Sequence, residues 1–205
     1  VMNPELKIRS AAKKGDLERL KKLLESQRVR EQVPDINCVN GDGDGFLHTA
    51  VEGGSEPAVA TLLLHGADVN RPGRHGYTPL HISCMHGHWS IAQQLLRSQA
   101  SARATASCGR TPLHFASEAG SIGCIRELLA MGADATAVDG DGRTALHFAT
   151  IDGEMECVKK LISAGASPLA KDSQGRDSVA IAKQMQSKDL IAVLVAAAAT
   201  FSGAG

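Results

Sequence analysis

The chain has 205 residues, of which 43% are hydrophobic and only 3% aromatic, so its length suits one large domain or two. Lysine plus arginine and aspartate plus glutamate each number 22, which gives a formal net charge of zero. This balance argues against a general nucleic-acid binder or a binder of anionic membranes, because both need a clustered excess of basic residues.

The cysteine count and the longest apolar run bear on the compartment. Five cysteines are an odd number, and their positions suggest no disulfide framework. The chain opens with no recognisable secretion signal. Residues 190–199, the longest apolar run, are about half of what a membrane-spanning helix needs. We expect a protein of the cytoplasm, with the nucleus as an alternative, and no membrane insertion.

Residues 1–39 are predicted to form an N-terminal cap unit. They carry a helical pattern of apolar residues in which most other positions are charged, as expected for a terminal unit with one solvated face. Six residues, Gln27–Gln32, are extra relative to the units that follow, and we expect them to prolong the second helix or to form a loop. The insert is either a tolerated surface insertion or a functional element, and the sequence leaves both open.

A short motif recurs along the rest of the chain. Residues 109–114 read Gly-Arg-Thr-Pro-Leu-His, close copies occupy 76–81 and 142–147, and weaker copies occupy 43–48 and 175–180. Every step between the leading glycines is 33 residues. Five copies at an unbroken period indicate stacked repeats, which we place at 40–72, 73–105, 106–138 and 139–171.

Each repeat predicts two short helices. In the repeat 73–105, Thr78 suits the N-cap and Pro79 the first helical residue, while Gly87 ends this helix. The second helix carries an apolar stripe formed by Ile91, Ala92, Leu95 and Leu96. Helices of this length are not stable alone, so stability must come from stacking. Residues 172–195 form a C-terminal cap unit, and 196–205 are expected to be a frayed tail.

The Thr-Pro-Leu-His motif at a period of 33 resembles the ankyrin repeat over nearly the whole chain. The resemblance implies an all-α solenoid of helix-turn-helix units with β-turn fingers. It also implies a non-catalytic protein–protein interaction scaffold or adaptor, with the partner on a concave face made of the fingers and of the first helices, the palm. The alternatives are a regulatory or inhibitory subunit and the ankyrin domain of a larger enzyme, in which the repeats occlude or target an enzyme.

Several residues that could carry chemistry are better explained by the repeat. The resemblance implies that the motif histidines, His48, His81, His114 and His147, bond to the motif threonine and to neighbouring backbone. Asp-Gly turns beginning at Asn40 and Asp139 look like calcium-loop fragments, but the acid that such a loop needs at position 12 is absent. No nucleophile–base pair can be assembled from the spacing, so no catalytic residue, metal or cofactor is expected.

The candidate partner-binding residues lie at finger and palm positions and near them. Residues 73–110 hold four arginines and no acid, together with the chain's single tyrosine and single tryptophan. Aromatic, methionine and arginine side chains are enriched in interfaces. The candidates are Arg74, His75, Tyr77, Met85, His86, Trp89, Arg110, Glu118, Arg143, Ile151, Asp152 and Arg176.

We expect the partner to be a protein or peptide of acidic character docked across Tyr77, Met85, His86 and Arg110. Tyr77 and Arg110 are expected to be exposed, so that Tyr77→Ala combined with Arg110→Ala weakens partner binding and leaves thermal unfolding nearly unchanged. The alternative is that these are ordinary solvated residues and that Trp89 merely covers the second helix. One further residue, Asn70, resembles the loop asparagine that asparaginyl hydroxylases modify in ankyrin proteins, although a turn-stabilising role is the simpler interpretation.

Overall fold

The computed structural model describes residues 3–33 and 35–202, and the chain divides into two compact units, Val1–Ser101 and Ala102–Gly205. We refer to them as unit 1 and unit 2. The predicted N-terminal cap unit includes residues 1, 2 and 34, and the predicted tail includes 203–205. These six positions lie outside the described residues.

Unit 1 contains an N-terminal helix pair, a short extra helix and two further pairs. Its helices are α1 (Pro4–Lys14), α2 (Leu17–Glu25), α3 (Gln27–Gln32), α4 (Phe46–Glu52), α5 (Glu56–Leu64), α6 (Pro79–Met85) and α7 (Trp89–Arg97). The first helix of each pair packs on the first helix of the next, α1 on α4 and α4 on α6, and α2 packs on α5 and α5 on α7. Stacked helix-turn-helix pairs are what the 33-residue period predicts.

Unit 2 has the same construction with three helix pairs. Its helices are α8 (Pro112–Glu118), α9 (Ile122–Ala130), α10 (Ala145–Ile151), α11 (Met155–Ser163), α12 (Ser178–Gln184) and α13 (Lys188–Ser202). Helices α8, α10 and α12 pack in sequence, as do α9, α11 and α13. One β-bridge, between Val138 and Thr144, closes a finger turn.

The motif histidine lies in the first turn of the first helix of its repeat and caps the N-terminus of that helix. In α6 the Nδ1 atom of His81 accepts a hydrogen bond from the Thr78 backbone N–H, with 3.1 Å between the nitrogens. His114 and His147 do the same at 3.0 Å with Thr111 and Thr144. Because Nδ1 accepts, the ring proton lies on Nε2, and in His114 this atom donates to the Arg143 carbonyl at 3.0 Å. The expected structural role of the histidines is confirmed.

The second helices bury the apolar stripe that the sequence predicts. Ile91, Ala92, Leu95 and Leu96 are all buried in α7. The equivalents of Ile91, Ala92 and Leu95 in the other second helices are buried as well, at Ala58, Val59, Leu62, Cys124, Ile125, Leu128, Cys157, Val158 and Leu161. The equivalents of Leu96 are only half-buried, at Leu63, Leu129 and Ile162. Each stripe faces its own first helix and the neighbouring second helix, so the core of each unit runs continuously between the two layers.

Two segments outside the repeat differ from expectation. The insert Gln27–Gln32 neither prolongs α2 nor forms a loop, because Ser26 has extended backbone (φ −66°, ψ 119°) that ends α2 and begins the separate helix α3. Residues 196–202 are not frayed, because α13 continues to Ser202 through an alanine run, and alanine has the highest helix propensity. Within the described part of the chain no helix is long and apolar enough to cross a membrane.

The C-terminal cap unit has no glycine between its two helices, and Gln186 occupies the position that Gly153 has one repeat earlier. Gln186 adopts φ 57°, at the point between the paired helices where Gly153 has φ 77° in the preceding repeat. The left-handed conformation is thus kept although the side chain makes it less favourable. The backbone geometry of the turn therefore follows the repeat even where the residue does not.

Gly53 generates a stability prediction. A Cβ atom at Gly53 would collide with the main-chain carbonyl of Lys13 at the end of α1, whereas a Cβ at Gly41 would meet nothing within 4 Å. Gly53→Ala should therefore lower the free energy of unfolding by roughly 1–3 kcal/mol, the usual cost of overpacking. Gly41→Ala is the matched control and should change it by less than about 0.5 kcal/mol. Urea unfolding of both variants is the measurement, and equal midpoints would refute the close approach.

The buried histidines generate a pH prediction. Burial lowers the pKa of His48, His114 and His147 in the folded chain, and their backbone hydrogen bonds oppose this only in part. The unfolded pKa is about 6.5, so their stabilising effect is complete above that pH and is lost as the pH falls below it toward the folded values.

We expect the thermal midpoint to fall between about pH 7 and pH 5, where the unfolded state binds more protons. His147→Gln should reduce the slope, since glutamine at this position can still accept the N-cap hydrogen bond but does not titrate. A slope that stays unchanged in this variant would mean that His147 does not contribute to the pH dependence.

Candidate functional site

The finger turns are held by an acceptor side chain at their first position. The Oδ1 atom of Asp139 accepts hydrogen bonds from the backbone N–H groups of Asp141 and Arg143, both at 2.9 Å. Asn40 holds the first finger turn of unit 1 in the same way. The Asp-Gly turns thus use these oxygens within the backbone. Among the described residues no group of three or more His, Cys, Asp or Glu could hold a metal ion.

Unit 1 has a groove of about 530 Å³ between its fingers and the ends of its first helices. We call it the unit 1 groove. It brings together five of the residues that the sequence predicts for partner binding. These are Arg74, His75, Tyr77, Met85 and His86. Trp89, the sixth candidate of this unit, begins α7 with 53% of its surface exposed and is not among the described lining residues.

Two of the cations that line the unit 1 groove already have partners within the chain. Lys13 pairs with Glu52 at 3.0 Å across the first helices. Arg9 is buried, donates from Nη1 to the main-chain carbonyl of Asp44 at 2.8 Å, and stacks over the Phe46 ring at 4.8 Å. Sequence analysis missed Arg9, although its position one turn before Lys13 on the same face of α1 was a usable signal.

Arg74 differs from the buried Arg9 because it is exposed, and from the exposed Lys13 because no acid pairs with it among the described residues. Its Nε atom donates to Nε2 of His75 at 3.1 Å, and no ion pair of Arg74 is found among residues 3–33 and 35–202. The guanidinium therefore meets solvent on the finger tip beside Tyr77 and His86. It is a cation that a partner's carboxylate could reach without first displacing an acid of this chain.

Tyr77 is only half exposed, so the expectation of a freely exposed side chain is wrong. Its ring lies 5.8 Å from the ring of His75 and 6.1 Å from that of His81. Its main-chain carbonyl accepts from Nε2 of His48 at 3.1 Å, which fixes the finger to the preceding repeat. Alanine at this position would remove packing as well as a binding group.

Arg110 in unit 2 is largely enclosed, which also corrects the expectation of exposure. Only 18% of its side chain is exposed; Nη1 lies 2.8 Å from Oε2 of Glu118 and Nε lies 3.6 Å from Oδ2 of Asp139. The guanidinium stacks over the Phe148 ring at 4.2 Å. Phe148 and Asp139 lie one repeat later than Arg110, so the contact could not be foreseen from a single motif.

The other two candidate arginines of unit 2, Arg143 and Arg176, are paired too. Arg143 contacts Asp139 at 3.0 Å and Asp141 at 2.6 Å, and Arg176 contacts Asp172 at 2.8 Å. Burial opposes ionisation of Asp139, but the hydrogen bonds from Arg143 and from the Asp141 backbone outweigh it and lower its pKa. These arginines therefore stabilise finger turns, and their charge is largely cancelled locally.

The last two candidates lie together in unit 2. Ile151 ends α10 with 40% of its surface exposed, and Asp152 is the next residue. Burial and the neighbouring charge of Glu154 raise the pKa of Asp152 above its ordinary value. Both residues are exposed at the palm position that the sequence predicts for them.

The insert covers part of the N-terminal core. Helix α3 forms one wall of a groove of about 360 Å³, with Ile8, Leu24 and Phe46 among the lining residues. Arg30 holds the helix in place by donating from Nε to the Leu24 carbonyl at 2.9 Å. The insert thus has a packing role, whichever further role it carries.

Asn70 joins two consecutive loops of unit 1. Its Nδ2 donates to the Gln99 carbonyl at 3.0 Å, and its Oδ1 accepts from the Ser101 N–H at 2.8 Å. Asn37 forms the same pair of bonds with Gly66 and Asp68. The turn-stabilising role is therefore observed, while hydroxylation of Asn70 stays a prediction.

The enclosure of Arg110 generates a prediction for unit 2. Arg110→Ala should lower the free energy of unfolding by about 1–3 kcal/mol, because Asp139 loses a cation and Phe148 loses its stacking partner. Arg126→Ala is the matched control, since Arg126 is exposed on α9 and should change stability by less than about 0.5 kcal/mol. Denaturant titrations decide between them, and two equal effects would contradict the contacts described for Arg110.

Comparisons with known proteins agree with the motif and the fold. A family model described as "Ankyrin repeats (3 copies)" matches residues 8–106, 90–172 and 113–200. The chain is 32% identical over 93 residues to protein phosphatase 1 regulatory subunit 27 of Homo sapiens, covering 45% of this chain and 57% of that protein. It is 32% identical over 104 residues to the RelA-associated inhibitor of Mus musculus, covering 51% and 12%.

A third relative is covered over most of its length. Notch-regulated ankyrin repeat-containing protein A of Danio rerio is 31% identical over 93 residues, which are 45% of this chain and 81% of that protein. The first two relatives are covered over 57% and 12% of their lengths. The all-α ankyrin fold expected from the Thr-Pro-Leu-His motif is confirmed. The chain belongs to the ankyrin repeat family, whose repeats mediate protein–protein interaction.

Proposed function

We propose that this chain is a non-catalytic adaptor that binds a partner protein in the unit 1 groove. The observation that carries the proposal is the groove itself, which gathers the side chains of Arg74, Tyr77, Met85 and His86. Arginine, tyrosine and methionine are the types enriched where interfaces are buried. A groove open along finger tips and helix ends suits a protein segment better than an enclosed small molecule.

Of the three histidines that line the groove, His48 is fully engaged in the fold. His48 accepts the Gly45 N–H at Nδ1 (3.1 Å) and donates from Nε2 to the Tyr77 carbonyl (3.1 Å), so both ring nitrogens are engaged in the fold. A general acid or base must reach the group that it protonates or deprotonates. His48 is therefore unavailable for proton transfer, which is consistent with a groove that binds a partner without catalysis.

The partner's acidic character is proposed for unit 1 only. Arg74 is exposed and Nε2 of His75 accepts its Nε–H, so a carboxylate of the partner could bind the outer guanidinium nitrogens. Arg110, Arg143 and Arg176 do not support an acidic partner, because each already has an acid of unit 2 within 3.6 Å. The acidic segment is thus centred on Arg74.

A regulatory or inhibitory subunit is the second candidate function. It is favoured by two relatives, one named a phosphatase regulatory subunit and the other an inhibitor. The chain covers only 57% and 12% of these two proteins, so we do not assign their partners to it. A compartment that keeps thiols reduced suits the exposed Cys108, so we propose the cytoplasm.

The test is partner capture with a charge-reversed groove. Arg74→Glu with His86→Ala changes two exposed side chains and should leave the free energy of unfolding within about 1 kcal/mol of the wild type. We expect at least one cytosolic protein to fall about tenfold or more in the captured material. The control, Arg97→Glu, reverses an exposed arginine at the end of α7, outside the lining of the groove, and should retain that protein.

Quantitative mass spectrometry of the captured proteins reads out both variants. Identical protein sets from wild type, groove variant and control would exclude the unit 1 groove as the binding site. If the captured protein is an enzyme, its activity with and without the wild-type chain separates an adaptor from an inhibitor. An adaptor leaves the turnover unchanged, whereas an inhibitor lowers it only when the groove is intact.

A further inference from the structure

An exposed apolar patch lies at the palm of unit 2. Ile151 ends α10 with 40% of its surface exposed, and Met185 caps the C-terminus of α12 with 43% exposed. Because α10 and α12 pack directly on each other, these two side chains lie at the same end of neighbouring helices. Exposed apolar side chains rimmed by polar ones are typical of interaction sites.

The charge beside this patch is negative. Asp152 follows Ile151 directly, and Glu154 lies two residues further on; both are exposed, and neither belongs to an ion pair among the described residues. A Cβ atom at Gly120 would stand 2.6 Å from Cδ of Glu154, so this carboxylate lies against the turn that follows α8. Burial and the neighbouring charge of Glu154 raise the pKa of Asp152, so the two acids repel each other and a cation would relieve that repulsion. We call Ile151, Asp152, Glu154 and Met185 the unit 2 palm.

The arginines of unit 2 do not cancel this charge. Arg143 and Arg176 are held by the acids of their own finger turns, Asp139, Asp141 and Asp172, at 2.6–3.0 Å. Lys183 is exposed on α12, and no ion pair joins it to Asp152 or Glu154 among the described residues. A ligand approaching the unit 2 palm thus meets apolar surface and unpaired carboxylates.

We propose that the unit 2 palm docks a protein segment in which an apolar side chain is flanked by lysine or arginine. The apolar side chain covers Ile151 and Met185, and the basic side chains pair with Asp152 and Glu154. The proposal rests on the proposed function, because it assumes that the repeats bind protein segments. It adds a second binding surface whose partner has the opposite charge from that of the unit 1 groove.

The test begins with selection from a random-peptide library displayed on phage, using the whole immobilised chain. We expect enriched peptides to carry lysine or arginine next to leucine, isoleucine, methionine or phenylalanine. One enriched peptide is then synthesised with a fluorescein label, and its Kd is measured by fluorescence anisotropy. Its affinity should fall with added salt, because exposed charges are screened.

Matched charge reversals locate the peptide. Asp152→Lys with Glu154→Lys should weaken binding about tenfold or more, because paired charges become like charges. The control, Glu156→Lys with Asp189→Lys, makes the same change in net charge at exposed positions of α11 and α13 and should keep the Kd. Thermal unfolding of both double variants shows that they are folded. A peptide with glutamate in place of its basic residues should bind the palm variant better than the wild type.

Two results would overturn the inference while sparing the proposed function. One is enrichment of acidic peptides without any basic ones, and the other is binding of the basic peptide that is lost with Arg74→Glu and His86→Ala but kept in the palm variant. Enrichment of no peptide also overturns it, and partner capture at the unit 1 groove then decides the proposed function separately. Rescue by the charge-reversed peptide would not follow from a merely structural role of Asp152 and Glu154.

Discussion

The buried motif histidine is the interaction on which the rest of the structure depends. One imidazole accepts the backbone N–H that starts its own helix and donates to a carbonyl 29 residues further along the chain, as His48, His114 and His147 each do. Cap and inter-repeat contact therefore use the same side chain, and the cap requires the neutral imidazole because Nδ1 must accept a hydrogen bond. This bond fixes the finger turn over the first helix of the preceding repeat, and the candidate surfaces are built on that arrangement.

Most of the fold could be predicted because the signals for helix starts, helix ends and buried positions recur in every repeat. Thr78 and Pro79 indicate a helix start, Gly87 its end, and Leu95 the buried side, and neighbouring repeats carry the same signals. The insert Gln27–Gln32 and residues 196–202 were predicted wrongly because no second copy exists with which to compare them. Local backbone at Ser26 and alanine propensity decided these two segments.

The candidate site was harder to predict because pairing depends on distances between repeats. Sequence positions identified Arg74, Met85 and Ile151 as finger or palm residues, and the structure places them there. Nothing in the sequence showed that Arg110 stacks on Phe148, one repeat away, and approaches Asp139. The candidate arginines Arg110, Arg143 and Arg176 are thus each paired with an acid of unit 2. The charges left unpaired, on Arg74 in unit 1 and on Asp152 in unit 2, distinguish the two surfaces.

The two kinds of loop asparagine differ in how replaceable they are. Asn40 uses only its side-chain oxygen, and Asp139 performs the same task in unit 2, so an aspartate at position 40 would preserve the turn. Asn70 uses its oxygen and its nitrogen at once, and an aspartate there would set a carboxylate against the Gln99 carbonyl. Replacement by aspartate would therefore preserve the first finger turn of unit 1 and would loosen the loop that Asn70 holds.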